Sequence, residues 1–392
     1  MDNIDFLSHY IDKNQCTLLG IGPMSKNCVD VVIDLVNDLN IPIMLIASRR
    51  QIESKKLGGG YVNNWSTEEF SKYVHQNDKN QNIILCRDHG GPYQNENENK
   101  QNLSYDDILN KAKESFRTDI MSNFKIIHID PSENLISDLT LDEMLIRVFE
   151  LYDFCYSVAL ENNKQISIEI SLGKEDGGIS HLSEIEYAIK KIENFCKIKQ
   201  LPLPLFIVIK TGNHVLETKN IGILDDIIDG KDSEEKNEIK KMIDFCNSKK
   251  IMIKEHNGDY LTDNSLKQHP KLGIHAINVA PEFGVIETKA ILSWLEKNNL
   301  IELKENFLEI SYKSNKWEKW MIPNSTTTKN EKAIISGHYI FSLDEFVNLK
   351  NTILTKIEDK DEFDNYLKME IKKSILRYLK NLNIVNLLFL FI

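Results

Sequence analysis

The chain has 392 residues, with 48 Lys+Arg against 59 Asp+Glu, a formal net charge of −11, and 41% hydrophobic residues. That balance belongs to a soluble globular chain, and a sequence pI near 5.5 leaves no broad basic surface for a phosphate backbone, which argues against nucleic acid as the main partner. Six widely spaced cysteines without a CxxC pair suit a reducing compartment, and the acidic start Met1-Asp2-Asn3-Ile4-Asp5 shows no secretory leader, so a cytoplasmic location is expected.

In chain order, eight short runs rich in Ile, Val and Leu recur at 17–22, 41–47, 82–87, 124–129, 166–170, 205–210, 251–254 and 274–279. Their starts are 23 to 46 residues apart, which leaves room for a crossover helix in each interval. Between them, apolar residues repeat at helical spacing over 27–39, 141–160, 183–196 and 235–248. Eight buried-looking strands alternating with helices predict a parallel α/β sheet closed into a (β/α)8 TIM barrel over residues 1–300. A doubly wound open sheet is the rival, but no GxGxxG follows the first run.

Two stretches fall outside that repeat. The Asn, Gln and Glu run at 94–102 reads as a solvated loop without chemistry. Residues 301–392 carry Trp317, Trp320 and helical patterns at 343–357 and 366–382, which predicts an appended C-terminal helical region packed on the barrel or on a partner, with the tryptophans in its core. The apolar tail at 384–392 is about half the ~20 residues a membrane span needs and reads as a docked segment, so no membrane is expected.

In a barrel of this kind the active site forms at the carboxyl ends of the strands. The residues that end the runs are Ser48-Arg49-Arg50, Asp88-His89-Gly90-Gly91, His128 with Asp130, Glu169, Lys210 with Thr211-Gly212-Asn213-His214, Glu255-His256-Asn257-Gly258-Asp259, and Asn278. Imidazoles beside carboxylates are the ligand types for Zn²⁺ or a similar divalent ion, and His89, His214 and His256 come from three different strands. Each of them could equally hydrogen-bond a neighbouring loop carbonyl. Asp88 and Glu169 are candidates for proton transfer, or for orienting the histidines. Arg49, Arg50 or Lys210 could pair with a phosphate, and the glycines at 58–60 and 177–178 could let backbone amides approach one or could be plain turns.

These segments resemble the tagatose-bisphosphate aldolase accessory-subunit family, which is related to class II, metal-dependent ketose-bisphosphate aldolases. The resemblance rests on Gly59-Gly60-Tyr61, Ser66-Thr67-Glu68-Glu69-Phe70, Asp88-His89-Gly90-Gly91-Pro92, Lys125-Ile126-Ile127-His128-Ile129-Asp130, Glu255-His256-Asn257-Gly258-Asp259-Tyr260 and Ile277-Asn278-Val279-Ala280-Pro281-Glu282-Phe283, in that order over roughly 15–300. It implies a metal-dependent barrel in which His89 and His256 are metal ligands, His214 is the candidate third, Asp88 transfers a proton, and Asn278 lies near the dihydroxyacetone-phosphate part of a ketose. Ser48, Arg49, Arg50, His128, Asp130, Lys210 and Asp259 complete the set expected to meet substrate or its phosphate. Ser48-Arg49-Arg50 stands where the family has an Asn-bearing loop, and Gly90 replaces a Leu, so a different substrate is plausible. The resemblance leaves open three roles on a phosphorylated sugar: aldolase-like lyase, epimerase, or non-catalytic subunit of a separate aldolase. A homo-oligomer or a partner aldolase subunit would be the protein partner.

Overall fold

The computed structural model describes residues 3–385 apart from 102, 136, 175–176 and 230–233. Eight parallel strands, Leu18–Ile21, Ile43–Ser48, Ile83–Gly90, Ile126–Ile129, Ser167–Ile170, Phe206–Val208, Met252–Glu255 and Ala276–Val279, pair in sequence order into a closed barrel. We number them one to eight. The eighth closes on the first through Leu18 opposite Ala276 and Ile21 opposite Val279. Every residue of strands one, four, five, seven and eight is buried, because helices cover the outer face and side chains fill the interior. Most strands therefore appear in the sequence as short runs rich in Ile, Val and Leu, interrupted where a polar side chain such as His128, Glu169 or Lys254 faces the interior.

The helices form where the pattern places them, among them Lys26–Leu39, Leu141–Glu161, Leu182–Lys199 and Glu234–Ser248. Two of these starts carry side-chain caps: Ser25 accepts the Cys28 N–H, and Thr140 with Glu143 forms a reciprocal capping box, each worth about 1 kcal/mol. One fully buried cation ties the second and third strands together. Arg87 makes paired bonds to Asp119 at 2.6 and 2.8 Å and donates to the carbonyls of Ala47 and Ile52, both at 2.8 Å. Removing either charge would strand the other, at roughly 3–5 kcal/mol.

Beyond residue 300 the chain continues as helices, with a second small core of Trp294, Phe307, Ile340, Phe346 and Phe363. The long helix Glu362–Asn381 joins both cores, since Phe363 and Leu367 belong to the small one while Ile371, Ile375 and Tyr378 pack on the barrel. Below the barrel, the Thr17 N–H donates to the Leu382 carbonyl at 3.0 Å, beside the N-terminal helix Asn3–Asn14. The apolar tail expected to dock from Ile384 lies, from residue 386 on, outside the described residues.

The run at 94–102 is not merely a solvated loop. Glu96–Asn99 forms a helical turn with Glu98 buried, and Glu98 binds the guanidinium of Arg49 at 2.6 and 3.1 Å. Arg49 is itself enclosed and also holds Glu53 at 2.6 Å, so a buried cation with two carboxylate partners recruits this polar segment onto the barrel top.

Candidate active site and metal centre

Strand three departs from regular pairing where the chemistry lies. Arg87 is opposite Ile127 and Gly90 opposite Ile129, so Asp88 and His89 together oppose the single residue His128. In a regular strand, neighbouring side chains point to opposite faces; the bulge, with His89 at a φ of 43°, lets both aim into the barrel mouth. Gly90 makes this possible, because a Cβ there would lie 2.3 Å from the Phe116 ring and 2.7 Å from the His128 carbonyl.

Around that bulge, Asp88, His128, Glu169 and His256 bring one ligating atom each within 4.8 Å of one another, as do His89, His128 and His256. The imidazole pairs are 5.1 to 5.4 Å apart between ring centres. His89 Nδ1 faces Asp130 Oδ2 at 2.7 Å, so its N–H donates to that carboxylate and Nε2 carries a lone pair toward the cluster. His256 Nε2 meets Glu169 Oε1 at 3.0 Å, and the buried Lys254 ammonium holds Glu169 Oε2 at 2.7 Å. Asn278 Nδ2 donates to Asp88 Oδ1 at 3.1 Å, while its own Oδ1 is buried without a partner.

Electrostatically the cluster's carboxylates are held ionised by the groups around them. Burial pushes the Asp88 carboxyl up, but His89, His128 and His256 around it hold it far below the usual range. Glu169 is likewise pushed up by burial and pulled down further by Lys254, His128 and His256, to about 2. Asp130, raised by burial, is held low by its bond to His89. The donor types and the carboxylate behind His89 therefore fit a divalent metal.

The cluster lies at a cavity of about 380 Å³ whose lining includes Ser48, Arg50, Asp88, His89, Asp130, His256, Asp259 and Asn278. Lys319, Trp320 and Tyr339 of the C-terminal helices supply the opposite wall. Trp320 is thus a cavity residue, its indole N–H donating to the Tyr339 hydroxyl at 3.1 Å, where the sequence placed it in a core. Arg50, Lys316 and Lys319 share Glu96 at the entrance.

Of the residues singled out from sequence, Asp88, His89, Glu169, His256, His128, Asp130 and Asn278 come together. His128 joins the cluster rather than the cavity lining, and Glu169 sits beneath the floor, wholly buried. His214 is not in the cluster: it packs against Gly177, where an added Cβ would be 3.0 Å from its own Cβ, because strand six ends early and Gly212-Asn213 turns the chain away into the small hairpin of Val215–Leu216 and Lys219–Asn220. Lys210 lines a separate crevice with Thr211 and Asn213. Arg49 is fully engaged inside the fold, as described above. Asp259 reaches the cavity, but its carboxyl accepts the N–H groups of Ala280 and Glu282.

No known family profile matches the chain, and no curated protein matches it in sequence. Among solved structures, it is similar to a probable tagatose 6 phosphate kinase from Sinorhizobium meliloti 1021, at 14% identity with a TM-score of 0.67, over 93% of this chain and 100% of that one. It is also similar to a fructose-bisphosphate aldolase from Campylobacter jejuni, at 14% identity with a TM-score of 0.57, over 98% of this chain and 96% of that one. At such identities the likeness shows a shared fold, the (β/α)8 barrel with its C-terminal helices.

Proposed function

We propose that the chain is a metal-dependent enzyme of carbonyl chemistry on a ketose or its phosphate, cleaving, joining or epimerising through a class II aldolase-like route. The observation that carries this reading is a pair of overlapping groups, His89, His128 and His256, and Asp88, His128, Glu169 and His256, each with its ligating atoms within 4.8 Å of one another, beside a cavity at the strands' carboxyl ends. His89 and His256 would hold the ion, with His128 or Glu169 completing the set in place of His214, and the imidazole-rich donors favour Zn²⁺. When bound, the ion polarises the substrate carbonyl as a Lewis acid.

The chain's own groups do the rest. Asp88 Oδ1 is fixed by Asn278, so Oδ2 is the oxygen that takes and returns the hydroxyl proton. Lys254 keeps Glu169 ionised beneath the floor, and Asp130 fixes the His89 ring. Trp320, Tyr339 and Tyr61 line the cavity and would present aromatic faces to a sugar. The resemblance to tagatose-bisphosphate aldolase accessory subunits and the likeness to the probable tagatose 6 phosphate kinase of Sinorhizobium meliloti both favour a tagatose-type substrate. The six cysteines are free and buried, which suits a cytoplasmic enzyme, and no helix among the described residues is long and apolar enough to cross a membrane.

The test is turnover of ketose phosphates, scored for cleavage and for epimerisation, by the zinc-loaded chain and two variants. Asp88→Asn is expected to keep the metal and lose turnover by about 10²-fold or more, and His89→Ala to lose both. An active Asp88→Asn variant removes the proposed proton route. Metal binding without turnover on any ketose would instead favour a non-catalytic subunit.

A further inference from the structure

The loops after strands seven and eight, with the helix that follows, are where barrels of this type commonly hold a substrate phosphate, because the first N–H groups of that helix point at the site unpaired. Here those donors are spent. The helix is Pro281–Lys297, and Pro281 has no N–H to give. The Ala280 N–H donates to Asp259 Oδ1 at 3.1 Å and the Glu282 N–H to the same oxygen at 2.7 Å. The Phe283 N–H turns back to the Ala280 carbonyl at 3.1 Å, and the Gly258 N–H on the facing loop is bound to the Asn278 carbonyl at 2.9 Å. The chain's own carboxyl group therefore sits where an incoming phosphate would.

The loop that bears Asp259 is also held in place. The Tyr260 N–H and the Tyr378 hydroxyl both donate to Glu282 Oε2, the Tyr378 oxygen lies 3.2 Å from the Gly258 carbonyl, and the Arg377 guanidinium lies 3.7 Å from Glu282. Tyr378 and Arg377 come from the last long helix, so the loop bearing Asp259 is pinned from outside the barrel. Swinging the carboxyl aside would break its bonds to the Ala280 and Glu282 N–H groups.

We infer that Asp259 is a specificity-determining residue that fills the phosphate position after strands seven and eight, so that the substrate end placed there is an uncharged hydroxyl rather than a phosphate. This rests on the carbonyl chemistry proposed above and narrows its substrate class: any phosphate on the ketose is carried at the other end. The aldolase-like expectation of a dihydroxyacetone-phosphate unit beside Asn278 is replaced by an unphosphorylated dihydroxyacetone-like unit.

The experiment titrates inorganic phosphate into the full chain stripped of metal, and into Asp259→Gly and Asp259→Ser, by calorimetry. The variants are expected to bind phosphate at least about tenfold more tightly than the unaltered chain, because two N–H groups at a helix start become available. Equal binding by all three overturns the inference. Should both variants fail to fold, the unaltered zinc-loaded chain decides by competition: dihydroxyacetone at least as tight as dihydroxyacetone phosphate supports the inference, and a phosphate ester about tenfold tighter overturns it. Zinc uptake is measured alongside, so that loss of the metal site, which would sink the carbonyl chemistry, is separated from a wrong reading of Asp259.

Discussion

Replacing Asp130 by Asn changes one atom and reverses the direction of one hydrogen bond. Oδ1 of Asp130 accepts from the Ser132 N–H at 3.0 Å and from its hydroxyl at 2.6 Å, so the amide oxygen of Asn keeps that side. The amide NH₂ then faces His89 Nδ1, which the carboxylate now contacts at 2.7 Å. Two donors cannot share that contact, so the ring must carry its proton on Nε2, the nitrogen that faces the cluster, and its metal-binding lone pair is lost there. Restoring the lone pair leaves the amide N–H and the Nδ1–H facing each other as two unpaired donors, at about 1–3 kcal/mol. At 1.4 kcal/mol per tenfold, that weakens zinc binding by roughly 10- to 100-fold, the range expected for groups that orient a metal ligand. Competition against a chromogenic chelator measures it, with circular dichroism to check the fold and the exposed Asp138→Asn as reference. Affinity within about threefold of the unaltered chain would refute the argument that His89 binds metal through Nε2.

Three further outcomes follow from the geometry. His214→Ala should leave zinc affinity unchanged, because the ring packs on Gly177 outside the cluster, whereas His128→Ala should weaken it; the reverse order in chelator competition would return His214 to the ligand set. Gly60→Ala should cost about 3 kcal/mol in urea unfolding, since a Cβ there would lie 1.9 Å from the Gln51 carbonyl oxygen, and unchanged stability would contradict that packing. Burial, followed by the nearby Glu282 charge, pushes the Asp259 carboxyl up from 3.8 to about 8, so the folded chain keeps a proton that the unfolded chain releases. Its raised value makes folding less favourable as pH climbs between those limits, so the stability of Asp259→Asn relative to the unaltered chain should grow from about pH 5 to about pH 8 and then level off. A flat difference across that window would show that Asp259 is ionised throughout.

The barrel was readable because burial on both faces turns most strands into runs rich in Ile, Val and Leu, and the helices between them keep a 3.6-residue repeat. Strand edges differ by a residue or two, and by three at strand three, which runs on to Gly90 through its bulge. That bulge is the main feature the pattern could not reveal, and it is why adjacent Asp88 and His89 both serve the site. The Gly90-Gly91 pair was its only trace in the sequence. His128 looked like a substrate contact because its place in the interior depends on register with strand three. His214 looked like a ligand because the short hairpin that carries it away has no signature beyond Gly212. Neither the cavity wall of Trp320 and Tyr339 nor the pairing of Arg49 with Glu98 was legible, since both arise from contacts between segments far apart in the chain.

The most direct measurement is the metal content of the purified full chain by elemental analysis, before and after chelation, beside His256→Ala. A metal-dependent rim requires about one divalent ion per chain, removed by chelator, regained on zinc addition and lost in the variant. No bound metal and no uptake, with the fold intact, would contradict it and leave the barrel mouth without the chemistry proposed here.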